Sequence, residues 1–317
     1  MSPHAAIHDP IFRTYCLLAA GVLGCAGLLL LFLSYGLRKD IRPIWITYRS
    51  WLVMVPLILL AVFLGRVAVI AGVALLSIFA FKEYARATGL YRDWWMTLAV
   101  YVGILAVAAA ALVEDPFDHW PGWMPLFLVM PVFAICLILL IPIVRNRTHG
   151  QLQAIALASL GFLYIGWMFG HLGFFANSTN PYGYLLYVIF ATELNDVFAF
   201  VFGKLLGKHP LRSNISPRKT WEGAIGALGI SAILPLLCRF SFPPQVPARE
   251  LLLIGLIVGI AGQLGDLCIS VIKRDIGIKD MGASIPGHGG LLDRIDSLIF
   301  VAPLVLHLLN YSPGLNA

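Results

Sequence analysis

Ten apolar stretches, near residues 14–36, 51–65, 67–81, 96–113, 123–144, 151–175, 184–206, 222–238, 250–272 and 291–310, leave loops of at most about 18 residues between them. Nowhere is there room for a soluble domain. Hydrophobic residues make up 60% of the 317 and charged residues only 12%, against roughly 25% charged in a soluble globular protein. The expected fold class is therefore an all-α polytopic membrane protein of about ten transmembrane or partly spanning helices. The runs at 51–65 and 67–81 are separated only by Gly65 and Arg66. About 15 residues at 1.5 Å each cover only about 22 Å, which predicts two helices that cross locally thin bilayer or only part of it.

The first apolar run lacks a small-residue cleavage site and continues into "SYGLRKD", so it reads as an anchor and not a signal peptide. The five cysteines, Cys16, Cys25, Cys136, Cys238 and Cys268, fall inside apolar runs without CxxC spacing and read as small core hydrophobes. With ten crossings, all of the 22 Lys and Arg residues except Arg13, Arg66, Arg239 and Arg249 fall on one side. The positive-inside rule makes that side cytoplasmic and puts both termini on the other.

Residues 1–185 read as a hydrophobic multispan scaffold with few polar groups inside its helices, and 186–317 as the catalytic region of the same continuous membrane domain. Glu193 and Asp196 sit within an apolar run, where an ionised carboxylate costs at least about 2.5 kcal/mol unless compensated. Their i, i+3 spacing puts them on one helix face, with Asn195 beside them. In "GIAGQLGDLCISVIKRD", Asp266, Ser270 and Lys273 form a polar stripe along an otherwise apolar helix. Gly259, Gly262 and Gly265 at three-residue spacing read as a packing face. Asp293 and Asp296 repeat the i, i+3 pattern at the start of the last helix.

Oxygen ligands without thiols suit a hard divalent cation, magnesium, with manganese as a substitute. Around them stand Lys204, Lys208, Arg212, Arg218 and Lys219 in one loop and Lys273, Arg274, Lys279 and Arg294 in the other. Carboxylate-held metal among converging cations is the composition of a polyphosphate site. Basic loops alone reflect topology and contact with membrane lipids; nothing points to a nucleic acid polymer. In "PGHGG", Pro286, Gly287, Gly289 and Gly290 permit a tight turn that holds His288 and leads into a helix whose N-terminal N–H groups favour anions, hence phosphate. In "NISPRKTWEG", either Ser216 or Thr220 caps the following helix, and Trp221 sits at the membrane interface.

These segments together, "GQLGDL", "SVIKR", "KD", "PGHGG" and "DRID" between 262 and 296 with "NISPRKTWEG" upstream, resemble the CDP-diacylglycerol synthases, or phosphatidate cytidylyltransferases. The resemblance covers about a third of the chain. It implies synthesis of CDP-diacylglycerol from CTP and phosphatidate with magnesium and release of pyrophosphate. It further implies Asp266 and Asp293 as metal ligands supported by Asp296, with Lys273, Arg274 and His288 beside them in the catalytic set. Ser216, Lys219, Thr220, Ser270, Lys279, Asp196, Asn195 and Arg294 would line the nucleotide site. Many bacterial relatives carry Ala-Asp where this chain has Asn195-Asp196. The expected setting is a bacterial inner membrane with the site facing the cytoplasm, and a homodimer is left open. Two alternatives stand beside this reading: a cytidylyltransferase for another lipid phosphate, and a secondary transporter using Glu193 and Asp196. Against the transporter, most polar groups cluster at the cytoplasmic edge and not at the midplane.

Overall fold

Hydrocarbon offers no partner to backbone N–H and C=O groups, so each apolar run must close its own hydrogen bonds as a helix. The computed structural model describes residues 1–36, 42–287 and 289–311. After a short helix at Pro3–His8, ten principal helices follow: α1 Pro10–Leu31, α2 Arg42–Leu64, α3 Arg66–Ala87, α4 Trp94–Leu112 and α5 Met124–Val144. Then come α6 Gln151–Asn177, which contains a π-helical stretch at Phe162–Met168, α7 Pro181–Leu206, α8 Trp221–Leu237, α9 Ala248–Asp275 and α10 Leu292–Tyr311.

Among the described residues, eight helices (α1 to α7 and α9) are long and apolar enough to cross a membrane. The chain is thus an all-α polytopic membrane protein. The expectation of two short helices at 51–81 is corrected: α2 and α3 have 23 and 22 residues. Polar flanks such as "RPIWITYRS" and "FKEYARA" continue the helix past the apolar run, because helical backbone is satisfied as well at the interface as in lipid. Gly65, at φ +107°, breaks the two apart in a conformation that side chains rarely adopt. Asp9, Asp93 and Thr220 cap α1, α4 and α8 by accepting from Phe12 N, Met96 N and Gly223 N. Thr220, and not Ser216, is therefore the cap of α8. The loop before it is a two-stranded antiparallel hairpin, β1 Pro210–Arg212 with β2 Ser216–Thr220.

The loops sort to two ends of the bundle. At one end Arg66 donates to Asn177 Oδ1 at 2.5 Å and to the Ala111 and Leu112 carbonyls at 2.9 and 2.8 Å, capping the C-terminus of α4 with a cation. Tyr182 Oη reaches Ser2 O and Tyr15 Oη meets Ser241 Oγ at the same end. Tyr311, the last described residue, shares a cavity wall there with Trp120 and Asn177. At the other end Arg145 pairs with Asp93 at 2.7 Å, and the hairpin meets the segment between α9 and α10.

A core of Phe81, Tyr84, Phe127, Phe162, Phe169, Tyr184 and Tyr187 fills the centre. From it Tyr164 donates to Gly265 O at 3.2 Å and packs its ring on Phe300, so the first six helices bear directly on α9 and α10. The glycines of α9 permit close crossing. A Cβ on Gly265 would meet Asp296 O and stand 3.0 Å from Ser297 Cα, and Gly259 and Gly262 face α8 and α7 in the same way. Replacing Gly265 with Val should therefore push α9 from α10 and destabilise the protein by about 1–3 kcal/mol, read as a lower thermal midpoint in detergent.

Candidate active site

Two turns of α9 set the frame, because Asp266, Ser270 and Lys273 recur at i, i+4 and i+7 on one face. Ser270 Oγ donates to Asp266 Oδ1 at 3.2 Å, and Lys219 Nζ, from β2, stands 2.5 Å from Asp266 Oδ2. One turn on, Lys273 Nζ lies 2.7 Å from Asp293 Oδ1 on α10. Asp293 Oδ2 accepts from Met281 N at 2.9 Å and Gly290 N at 3.0 Å. Asp296 Oδ1 accepts from Ser297 N at 2.7 Å, while Ser297 Oγ donates to Asp196 Oδ2 at 3.0 Å. The close α9–α10 crossing at Gly265 thus brings Asp266 beside Asp296, and α7 supplies Asp196.

Asp196, Asp266 and Asp296 lie within one another's electrostatic reach. Lys219 acts on Asp196 and Asp266, Lys273 on Asp266 and Asp296, and Arg294 on Glu193 and Asp196. Cations from β2, α9 and α10 thus offset part of the burial cost of the carboxylates that looked uncompensated in the sequence. Arg294 is the cation within electrostatic reach of Glu193, whereas Lys204 lies over the Phe200 ring.

Not every residue expected at the site is drawn into it. Asn195 is 1% exposed, accepts from Ser231 Oγ at 3.1 Å and faces Gly262, at the packing of α7 against α8 and α9. Arg274 donates to Ile215 O and Ile278 O at 3.2 and 2.7 Å, joining the hairpin to the segment after α9. Ser216 is half-buried in β2, and Lys279 is exposed on the segment after α9. Trp221 is 46% exposed with the Arg212 guanidinium 5.9 Å over its ring. Gly287 and Gly289 take φ of +77° and +83°, and Ile285 N donates to Gly289 O, closing the tight turn read in "PGHGG". His288 lies outside the described residues.

One expectation needs correction. The amides at the start of α10 were read as free for phosphate, yet Leu291 N and Leu292 N donate to Glu83 of α3, at 3.0 and 2.9 Å, and Gly290 N to Asp293. An anion does occupy this helix N-terminus, but it belongs to the chain. Glu83 went unread because, in "FKEYARATG", it looks like one more interfacial charge, and a partner 208 residues away leaves no local pattern. Ser50 and Thr47 of α2, whose hydroxyls donate to Pro286 O at 2.7 Å and Gly287 O at 3.5 Å, were missed for the same reason.

Among the described residues, no three His, Cys, Asp or Glu side chains converge closely enough to hold an ion unaided. Magnesium asks for less, since one or two carboxylates suffice when water and phosphate oxygens complete its shell. The donors present are carboxylates without a thiol ligand beside them. Asp293 has three hydrogen bonds against roughly four acceptor positions on a carboxylate, so one remains.

A polytopic helical protein with an acidic and basic cluster at one end of its bundle is the class that fold and site define. A model of the cytidylyltransferase family matches residues 45–312, and the chain belongs to that family. It is 35% identical over 256 residues to a phosphatidate cytidylyltransferase of Staphylococcus haemolyticus (strain JCSC1435), covering 80% of this chain and 93% of the relative. A phosphatidate cytidylyltransferase of Staphylococcus aureus (strain COL) is 37% identical over 205 residues, 64% of this chain and 77% of its own.

The two lysine pairs differ in burial, which separates their energies. Lys273 and Asp293 side chains are only 10% and 6% exposed, Lys219 and Asp266 24% and 30%. Lys273→Met strands a buried carboxylate and should cost about 3 kcal/mol or more, whereas Lys219→Met should cost under about 1 kcal/mol. Thermal midpoints of the two variants, measured side by side, check this ordering.

Proposed function

We propose that the protein transfers CMP from CTP to phosphatidate, forming CDP-diacylglycerol and pyrophosphate, at the cluster around Asp266, Asp293 and Asp296. Membership of the cytidylyltransferase family and the names of relatives matched over most of their length support the reaction. One geometric observation carries the site: α7, α9, α10 and β2 bring Asp196, Asp296, Lys219 and Lys273 within electrostatic reach of Asp266 at a bundle end.

In the reaction a phosphate oxygen of phosphatidate attacks the α-phosphorus of CTP. The new P–O bond forms as the bond to the β-phosphate oxygen breaks, and pyrophosphate leaves with both electrons of that bond. Phosphatidate is already an anion, so no strong base is required. The difficulty is bringing two anions together, a task of positioning and charge neutralisation.

Asp266 and Asp293, with Asp296 in support, would hold magnesium or manganese, which when bound neutralises charge on the phosphates. Lys219 and Lys273 hold Asp266 and Asp293 in place through the ion pairs described above. Lys219 on the hairpin presents a cation to the phosphates of CTP, and Arg274, at the end of α9, ties the hairpin to the segment that follows. Arg294 offsets Glu193 and Asp196 and keeps the rear of the site from repelling the substrates. Ser270 orients the Asp266 carboxylate, and Thr220 fixes the start of α8 beside Lys219. The basic end faces the cytoplasm of a bacterial inner membrane, where CTP and the phosphatidate headgroup meet.

Purified protein in detergent, given magnesium, radiolabelled CTP and phosphatidate, should yield a lipid-linked CMP product, and EDTA should stop it. Asp266→Asn should lower turnover at least about a hundredfold while the protein still inserts and folds. Turnover that survives both chelation and this substitution would sink the proposed site. Offering other lipid phosphates in the same assay tests whether phosphatidate is the acceptor.

A further inference from the structure

We propose that Glu83 is a positioning residue for the reaction: from α3 it fixes the segment that presents Asp293. The inference rests on the site proposed above.

The carboxylate reaches three donors on the segment between α9 and α10. It accepts from Leu291 N at 3.0 Å, from Leu292 N at 2.9 Å, and from Ser284 Oγ. The backbone is also moulded around it. A Cβ on Gly282 would stand 2.7 Å from Glu83 Oε1, and one on Gly290 would stand 2.6 Å from Oε2. A side chain at either position would have to displace the carboxylate, so both glycines are shaped to it.

The same segment holds Asp293 from its inner side. Met281 N and Gly290 N, the neighbours of Gly282 and Leu291 in sequence, donate to Asp293 Oδ2, and Lys273 meets Oδ1. Glu83 fixes these stretches from outside, and Asp293 is gripped from within by adjoining amides. Loosening the first contact must loosen the second, since one or two residues of backbone separate them.

Local capping does not account for this arrangement. Orphan amides at a helix start are ordinarily satisfied by a Ser, Thr, Asp or Asn just before it. Here the cap comes from α3. Its charge also suits the place, because the helix dipole and the amides offset a negative charge that would otherwise repel phosphates. A glutamine could not serve equally, since its amide group would face an N–H or O–H donor with a donor of its own.

The test compares Glu83→Gln with wild type in three measurements: kcat and KM for CTP and phosphatidate, thermal midpoint, and amide hydrogen exchange across 281–292. Positioning predicts kcat reduced about tenfold or more, both KM values within about twofold, a midpoint near wild type, and about tenfold faster exchange at Leu291 and Leu292. Wild-type kcat in a folded Glu83→Gln protein would overturn the proposal. So would a loss confined to KM. If that variant fails to fold, Ser284→Ala removes one donor without touching the charge: a reduced kcat with faster exchange near residue 284 supports the role, and unchanged kcat rejects it. Hydrogen exchange reads the clasp without substrates. Wild-type protein that makes no product from CTP and phosphatidate would count against the proposed reaction, while exchange unchanged in Glu83→Gln would count against the clasp.

Discussion

The cost of an unbalanced charge beside hydrocarbon governs how this protein is built. Four of the carboxylates that the late helices carry toward the site have an answering donor: Lys219 for Asp266, Lys273 with two amides for Asp293, the Ser297 hydroxyl for Asp196 and the Ser297 amide for Asp296. Lys219, Lys273, Met281 and the Ser297 hydroxyl reach their carboxylates from 12 to 101 residues away. The fold must therefore bring four elements together before the acids are tolerable, which couples helix packing to assembly of the site. The α9 glycines serve that coupling, because a side chain at Gly265 would separate the Asp266 and Asp296 backbones. At the opposite end Arg66 satisfies the same demand by spanning the ends of α4 and α6.

The first six helices do more than contact lipid. Tyr164 bonds to the α9 backbone at Gly265, one residue before Asp266, and Ser50 and Glu83 hold the segment between α9 and α10. Precision at a site made of late helices requires a frame that cannot shift, and a buried aromatic core supplies one.

What was legible in the sequence follows from periodicity and local chemistry. The ten helices could be read because a membrane forces every apolar run into one conformation. The stripe Asp266, Ser270, Lys273 could be read because helical spacing puts it on one face. Both Thr220 and Ser216 fit a cap by sequence, since both precede the run, and only the hairpin, formed by pairing with Pro210–Arg212, removes Ser216 from contention. The ends of α2 and α3 were misjudged because hydropathy marks where lipid ends and not where the helix does. Glu83 was invisible because its meaning lies in a contact across the fold, and Asn195 misled because adjacency to Asp196 in sequence is about 100° of rotation on a helix.

The two lysines illustrate how burial divides labour within one electrostatic cluster. Lys273 is nearly enclosed, on a helix, and bonded to a carboxylate with two further amides. Moving it would leave a buried charge unanswered, so it is a fixed part of the scaffold. Lys219 sits on a hairpin, and both it and Asp266 keep about a quarter of their side-chain surface exposed. Water can replace either partner there, which makes the pair weak and exchangeable. At the proposed site an anionic nucleotide entering from solvent would therefore meet first the lysine that can turn toward it, while the lysine that cannot preserves the geometry of Asp293 behind.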